Sequence, residues 1–494
     1  MLSTAIFVPL LGALALLLAP RLDERSARRL ALAVAAVPLA LMVVAWLAFD
    51  GDGGGGFELV ESVRWIPTLG VGYKVGVDGV SLPLAAMTAL LFVAAMAYPA
   101  EVQGRPRQYY AAFLLLESAS LGVFLALDLF LFYVFFDVSL VGMYFLIAVW
   151  GHGDSQRSAL KFFLYTLAGS LAMLLAILGL YLASEPRTFD MAALIDQQPL
   201  RGGGLRAGLV FLAFTVGLGV KTPIVPFHTW LPPAHVDAPA PASAILAGVL
   251  LKMGTYGFIR IVLSMMPDTF ARYALPLAVV AVVSIVYGAL VALAQTNLKR
   301  LVAYTSVNHM GYVILGVAAA AAASSSDPDA ARLAINGATL EMVAHGLITG
   351  ALFLLAGSVW SRAGTYELDR FGGLAGRAPA MTGAVMVTAF ASLGLPGLAG
   401  FVAEFQVFAG AFAIYPVLAG IGLLGIVVTA ALFLRMLQQV FLGPLPERWA
   451  AWPDLSRREV AALAPLVVLV VAIGVAPAWV LDVIDAATRP LVGR

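Results

Sequence analysis

The chain holds 494 residues, 62% hydrophobic and only 12% charged, with a mean hydropathy of +0.96. Soluble domains carry about 25% charged residues, so this is the composition of a polytopic membrane protein. A formal net charge of +1 argues against nucleic acid as a partner, and the lack of cysteine removes disulfides, thiolate-bound zinc, iron–sulfur ligation and covalent haem.

At ~20 apolar residues per crossing, the sequence predicts an all-α bundle of about fourteen transmembrane helices. They lie near 2–19, 30–48, 79–98, 110–127, 129–149, 158–183, 206–228, 241–264, 273–294, 301–322, 333–360, 380–408, 417–441 and 460–482. Residues 1–19 lack the basic start and small-residue cleavage site of a signal peptide and read as the first span. With the N-terminus outward, sixteen basic residues fall in inner loops, Lys299 and Arg300 among them, against nine in outer loops and at the C-terminal end. The positive-inside rule therefore places both termini outside. The loops 50–56 (DGDGGGG) and 324–329 (SSSDPD) read as flexible punctuation. Neither the glycine run nor GLGVKT (217–222) has the spacing of a phosphate-binding loop.

Four segments organise the chain. Residues 1–100 hold three helices, 101–268 and 269–445 hold five each, and 446–494 hold the last. The fourth helix of each five-helix set is interrupted by Gly and Pro, at GLGVKTPIVPF (217–227) and SLGLPGLAGFVAEF (392–405). Paired interruptions at corresponding places point to a transport site between two repeats. With five helices per set, the two copies must be inverted across the membrane.

Residues 221–235, KTPIVPFHTWLPPAH, carry one lysine, two histidines and four prolines at span depth. A charge at that depth costs about 2.5–3.5 kcal/mol on insertion scales. Broken backbone is tolerated there only when buried in protein or lining a wet cavity. Further ionisable groups sit inside predicted spans: Glu117, Asp137, Lys252, His309, Glu404, and Glu341 with His345 at i, i+4 spacing. Lysines, carboxylates and histidines change protonation with modest changes of surroundings, whereas arginine stays charged. No arginine belongs to this mid-membrane set, which predicts a proton relay. His228 is a further candidate in the broken segment. Plainer roles compete: Lys161 snorkelling at a helix end, static buried pairs for Glu117 and Glu341, a satisfied core hydrogen bond for His309, and loop roles near the interfaces for His152 and His235. His228 and His235 are seven apart with a proline pair between them, which is not a metal-binding spacing.

Several runs taken together resemble a known family: VGVDGVSLPL (76–85), LFYVFFDVSLVGMYFLIAVWGH (131–152), KFFLYT (161–166), KTPIVPFHTWLPPAH, LKMGTYGFIR (251–260), NLKRLVAYTSVNHMGYVILG (297–316) and LPGLAGFVAEF. They are similar to the antiporter-like subunits of respiratory complex I, the NADH-quinone oxidoreductase, and most of all to its M-type members. The resemblance implies a proton-translocating module of the membrane arm, in the inner membrane of a bacterium. Other membrane-arm subunits and lipid would be its partners, with quinone bound elsewhere and no cofactor in this chain. It further implies that Asp137 modulates Lys221, and that protonation then passes through Lys252, His309 and His345 to Glu404. Glu404 in place of lysine and the absence of a long lateral helix fit the M type. Asp137 stands where the family usually has glutamate, shortening its reach by about 1.5 Å, one C–C bond, and Pro233 stands where an acid is frequent. A subunit of a multi-subunit sodium/proton antiporter or of an energy-converting hydrogenase, a stand-alone secondary transporter and a passive scaffold remain alternatives.

Overall fold

The computed structural model describes residues 1–51, 56–100, 102, 104–323 and 326–492. Most of the glycine run in the 50–56 loop, the start of the 324–329 loop and Arg494 lie outside these described residues.

The apolar runs form helices close to the expected places. They begin with α1 (Leu2–Leu18), α2 (Glu24–Ala48), α3 (Ser81–Ala97), α4 (Pro106–Leu125), α5 (Leu129–Trp150) and α6 (Ser155–Tyr181), followed by a short α7 (Met191–Gln197). One passage is made of two pieces, α8 (Leu205–Lys221) and α9 (Leu231–Asp237). Pro223 and Pro226 lie in the gap between them and cannot donate to a helical ladder. The next helix runs from Ala240 to Leu263. Its α-helical parts, α10 (Ala240–Ile245) and α11 (Leu251–Gly257), are each followed by a π-helical turn, at Leu246–Leu250 and Phe258–Leu263. Then come α12 (Pro267–Leu293), α13 (Leu298–Ala323) and α14 (Pro328–Ala363). A second broken passage consists of α15 (Pro379–Ser392) and α16 (Ala399–Ile414), and the bundle closes with α17 (Pro416–Phe441), α18 (Arg457–Val475) and α19 (Ala478–Thr488). At the second break Gly394 and Gly397 have φ of +76° and +91°, a region open to glycine at little cost. Among the described residues, ten helices are long and apolar enough to cross a bilayer unaided.

The all-helical expectation needs one correction. ELVESVRWI forms a strand, β1 (Glu58–Ile66), paired antiparallel with β2 (Val71–Val77). Gly70, at φ +71°, closes the turn between them. This hairpin covers one membrane face: Glu61 accepts from the backbone N–H groups of Leu2 and Ser3 at 2.8 and 3.0 Å, and Asp128 accepts from that of Gly72 at 3.0 Å. Arg21, between α1 and α2, and Arg25, Arg28 and Arg29, in the first turns of α2, lie at the opposite ends of these helices, on what is called below the basic face.

The core is built around α14, whose 36 residues would extend ~54 Å at 1.5 Å per residue. It packs against α3, α10, α13, α15, α16, α18 and α19 and is buried over almost its whole length. Outer helices such as α2, α6 and α17 bury only one side. Leu47, Leu175 and Val427 point outward from them, which is costly in water but neutral against lipid.

Fixed charges sit near the ends of the helices. Arg260, buried in the second π-helical turn, pairs with Asp78 and donates to Tyr256 Oη at 3.1 Å through Nε. Asp78 also caps the start of α3, accepting from Val80 and Ser81 at 3.1 and 2.9 Å. Removing one partner of such a buried pair leaves an uncompensated charge, at a cost of about 3–5 kcal/mol. Asp78→Ala is therefore expected to destabilise the folded subunit by that amount. A melting temperature equal to that of the unchanged protein in detergent would show that the pair contributes no net stability.

Candidate functional site

The site is a row of polar side chains enclosed by α5, α8, α11, α13, α14 and α16. Lys221 is the last residue of α8, where the ladder ends before the proline gap. Its ammonium is buried, stands 4.7 Å from the centre of the Phe136 ring and donates to Ser139 Oγ at 3.3 Å. Phe136 and Ser139 flank Asp137 on α5, yet no ion pair joins Asp137 to Lys221 among the described residues. One carboxylate oxygen of Asp137 is buried without a hydrogen-bond partner. The short side chain thus leaves the acid beside the amine rather than on it.

Lys252 is wholly buried in α11. Its ammonium donates to the Ala247 carbonyl at 2.6 Å, on the π-helical turn of its own helix, and lies 2.6 Å from His345 Nδ1 on α14. A lysine ammonium donates only, so the imidazole nitrogen accepts. The rings of His345 and His309 are 5.3 Å apart. Both nitrogens of His309 face carbonyl oxygens, Nδ1 that of Thr305 at 2.7 Å and Nε2 that of Ser392 at 2.9 Å. A proton on either nitrogen satisfies the carbonyl that this nitrogen faces. Glu404 Oε1 stands 3.7 Å from Nε2. Between Lys221 and Lys252 stand Ser139 and Met253, with Ser139 Oγ 3.7 Å from Met253 Sδ.

The structure thus brings Lys252, His345, His309 and Glu404 into one contiguous set and places Lys221 with Asp137 at one end. Glu341 lies one turn before His345 on α14, buried, with Oε2 unpartnered. Glu117 is buried in α4 with both oxygens unpartnered, and among the described residues no hydrogen bond or ion pair joins it to the row. His228 is not drawn into the row either: its ring lies 5.1 Å from Tyr287 and Nδ1 has no partner. Lys161 is exposed, as snorkelling requires. His152 keeps its loop role, donating its backbone N–H to the Asp237 carbonyl at 2.8 Å.

Two expectations change. His235 does not have a hydrogen-bonded loop role: it lies in α9, fully buried, stacked on Phe353 at 4.4 Å, with neither ring nitrogen partnered. Lys299 is not a loop cation but is fully buried in the first turn of α13, with its amine on the Ala238 carbonyl. Both errors have one cause. Hydropathy places a residue along the membrane normal, whereas burial depends on neighbours from distant parts of the chain. Asn308, Ser139 and Tyr312 also line this region, and nothing in their local sequence marks them.

A membrane bundle with broken helices and buried titratable groups defines a class of ion-conducting membrane subunit. Residues 126–432 match the family described as NADH:quinone oxidoreductase/Mrp antiporter, transmembrane, and the chain belongs to that family. It is 38% identical over 508 residues to the NADH-quinone oxidoreductase subunit M of Rhodobacter capsulatus, covering 100% of this chain and 96% of that one. It is 38% identical over 499 residues to an NAD(P)H-quinone oxidoreductase chain 4 of Nostoc, covering 99% and 90%. A chain of the respiratory complex I from Thermus thermophilus superposes with a TM-score of 0.89 at 32% identity, covering 100% of both.

A Cβ added at Gly394 would stand 2.4 Å from Glu404 Oε2, at a positive φ that side chains rarely adopt. Gly394→Ala is expected to cost more than ~1 kcal/mol and to displace the carboxylate. An unaltered carboxyl stretch in infrared difference spectra of the variant would contradict this contact. At the basic face, burial, and then the charge of Lys299, pushes the His152 imidazole from 6.5 down to about 4. Neutral His152 therefore supports the fold above about pH 6.5, and that support is lost as pH falls toward 4. His152→Gln should flatten the acid limb of the stability–pH curve across this window, and an unchanged limb would refute the assignment.

Proposed function

We propose that this chain is a proton-translocating membrane-arm subunit of an NADH:quinone oxidoreductase. In this reading it has no redox centre or cofactor of its own, and quinone is reduced elsewhere in the assembly. The observation that carries the proposal is the contiguous set Lys252–His345–His309–Glu404, enclosed by helices and set beside Lys221 at a broken helix. The names borne by its relatives support the same assignment.

Each group has a role that its surroundings support. Asp137 biases the charge of Lys221 through space. Release of a proton from Lys221 changes the field at Lys252, whose ammonium can pass a proton to the accepting nitrogen of His345. His309 takes it onward and Glu404 receives it, with Glu341 as a further carboxylate on the same helix face as His345. Charges in a medium of low dielectric act on one another far more strongly than in water, so a change at one end is felt along the row. Membrane-arm neighbours deliver the change that starts the cycle.

The two five-helix sets, 101–268 and 269–445, are read as inverted copies, each with its fourth helix broken. The loop charges support a bacterial inner-membrane subunit with both termini on the outer face. With the buried Lys299 set aside, fifteen basic residues at inner positions against nine outside favour that orientation.

In the assembled enzyme in proteoliposomes, Lys221→Met is expected to abolish the share of proton translocation carried by this subunit. Asp137→Ala should reduce that share, whereas Asp137→Glu, about 1.5 Å longer, should preserve it. Protons moved per NADH oxidised at the unaltered level in both Lys221→Met and Asp137→Ala would defeat the relay.

A further inference from the structure

An apolar groove of about 380 Å³ lies between α8 and α12, away from the row. Leu205, Leu209 and Leu212 of α8 form one wall at i, i+4 and i+7 spacing, and Tyr273, Pro276 and Val280 of α12 form the other. Phe211 stacks on Tyr273 at 5.3 Å and meets Phe270 at 5.4 Å, which closes the groove behind them. Gly208 makes room for the tyrosine, since a Cβ there would stand 3.0 Å from its hydroxyl oxygen. The three leucines are exposed, so the groove opens sideways. Its mouth lies on the hairpin face, because α7, which the chain leaves to enter α8, is capped by Asp190, and Asp190 pairs with Lys74 of β2 at 2.5 Å.

Length, volume and charge decide what fits. The α8 wall runs from Leu205 to Thr215, about 15 Å at 1.5 Å per residue, which is half of a hydrocarbon core about 30 Å thick. The groove is therefore one leaflet deep. A helix about 10 Å across would occupy roughly 1,200 Å³ over that length, so a partner helix would seat only an edge in 380 Å³. An acyl chain matches the depth and has no backbone polar groups to satisfy. At the mouth, Arg206 adjoins Leu205 and Arg272 adjoins Tyr273; both are exposed, and among the described residues neither has a carboxylate in contact. The Arg272 guanidinium lies against the loop into α8, where a Cβ on Gly203 would stand 3.3 Å from it. Asp268 is engaged elsewhere, 3.9 Å from Arg201 and accepting from the Gly202 N–H at 3.3 Å. Exposed arginines are ordinary in water, but these two stand at the open end of a leaflet-deep groove, beside a tyrosine of the kind that favours the headgroup level.

We propose that this groove binds an anionic phospholipid from the leaflet on the hairpin face, with one acyl chain between α8 and α12 and the phosphate between Arg206 and Arg272. The site depends on the membrane location of the chain and not on the proton relay. A basic residue beside an anionic headgroup contributes about fivefold in affinity. Two arginines thus give a preference over a zwitterionic lipid of roughly 25-fold at low salt, and screening lowers it as ionic strength rises. A chain held there packs α8, the first half of the broken passage, against α12.

The test uses the assembled enzyme in nanodiscs of phosphatidylcholine at low salt. These are doped with either a phosphatidylglycerol or a phosphatidylcholine that carries the same photoreactive acyl chain. Expected is labelling of peptides from α8 and α12 by the phosphatidylglycerol probe at roughly 25 times the level of the other. Arg206→Gln with Arg272→Gln should remove that preference, and Arg206→Lys with Arg272→Lys should keep most of it. Leu212→Trp fills the groove and leaves the arginines, so it should lower labelling there by both probes and leave labelling elsewhere on the chain unchanged. Equal labelling by the two probes in the unaltered enzyme, or a preference that survives the glutamine pair, would overturn the site and leave ordinary bilayer lipid in the groove. Absence of label from both probes would overturn it as well, and would show that a neighbouring subunit covers this face. Should the glutamine pair fail to assemble, the remaining arms decide: undiminished labelling in Leu212→Trp, or a preference unchanged at raised salt, refutes the site.

Discussion

The cost of holding charge away from water governs this molecule. Lys221, Lys252, Lys299, His309, His345, Glu341 and Glu404 are all buried in a bundle that faces lipid. A regular helical backbone offers them few carbonyls, because most are committed to their own ladder, although the Thr305 carbonyl in α13 does face His309 Nδ1 at 2.7 Å. The fold meets this demand with helix irregularities. Lys252 is held by the Ala247 carbonyl on a π-helical turn, His309 by the Ser392 carbonyl at the break between α15 and α16, and Lys299 by the Ala238 carbonyl at the end of α9. A carbonyl stabilises a proton on its neighbour without neutralising it, as a carboxylate in contact would. The departures from regular helix are thus what supplies these buried groups with carbonyl partners.

Charges at the membrane faces are treated in the opposite way. Arg260 with Asp78, Arg332 with Asp485, and Arg362 with Glu459 are carboxylate-paired arginines near helix ends. Arg332 and Arg362 lie near opposite ends of α14 and tie it to the last passage, α18 and α19. The helix that carries Glu341 and His345 is therefore clamped at both ends, while its middle presents groups without such partners. Rigid ends and titratable middles are complementary: on the proposed relay, transfer over a hydrogen-bond length would require donor and acceptor to be placed closely, and the clamps would supply the placement.

Much of this was legible before any coordinates. Asp137, Lys221, Lys252, His309, His345 and Glu404 stand out because a charge in an apolar run is expensive and therefore conspicuous. The two breaks stand out because proline and glycine act on the local backbone. His235 and Lys299 were misplaced for the converse reason. Both lie near the ends of apolar runs, where loop and core are indistinguishable by hydropathy. The hairpin at 58–77 was hidden among residues too polar for a span and too few for a domain, and it is stabilised by contacts with α1 and Asp128 that no local pattern shows.

The sequence by itself determined that this is a helical membrane bundle, where its helices run, where two of them break and which ionisable groups lie at depth. These follow from hydropathy, side-chain charge and backbone restriction, each a property of a residue and its near neighbours. Only the tertiary structure decided which groups meet: that Lys252 contacts His345 across 93 positions of sequence, that Asp137 stops short of Lys221, and that Lys299 is inside. Hydrogen bonds act over about 3 Å, and only the packing of whole helices sets distances on that scale.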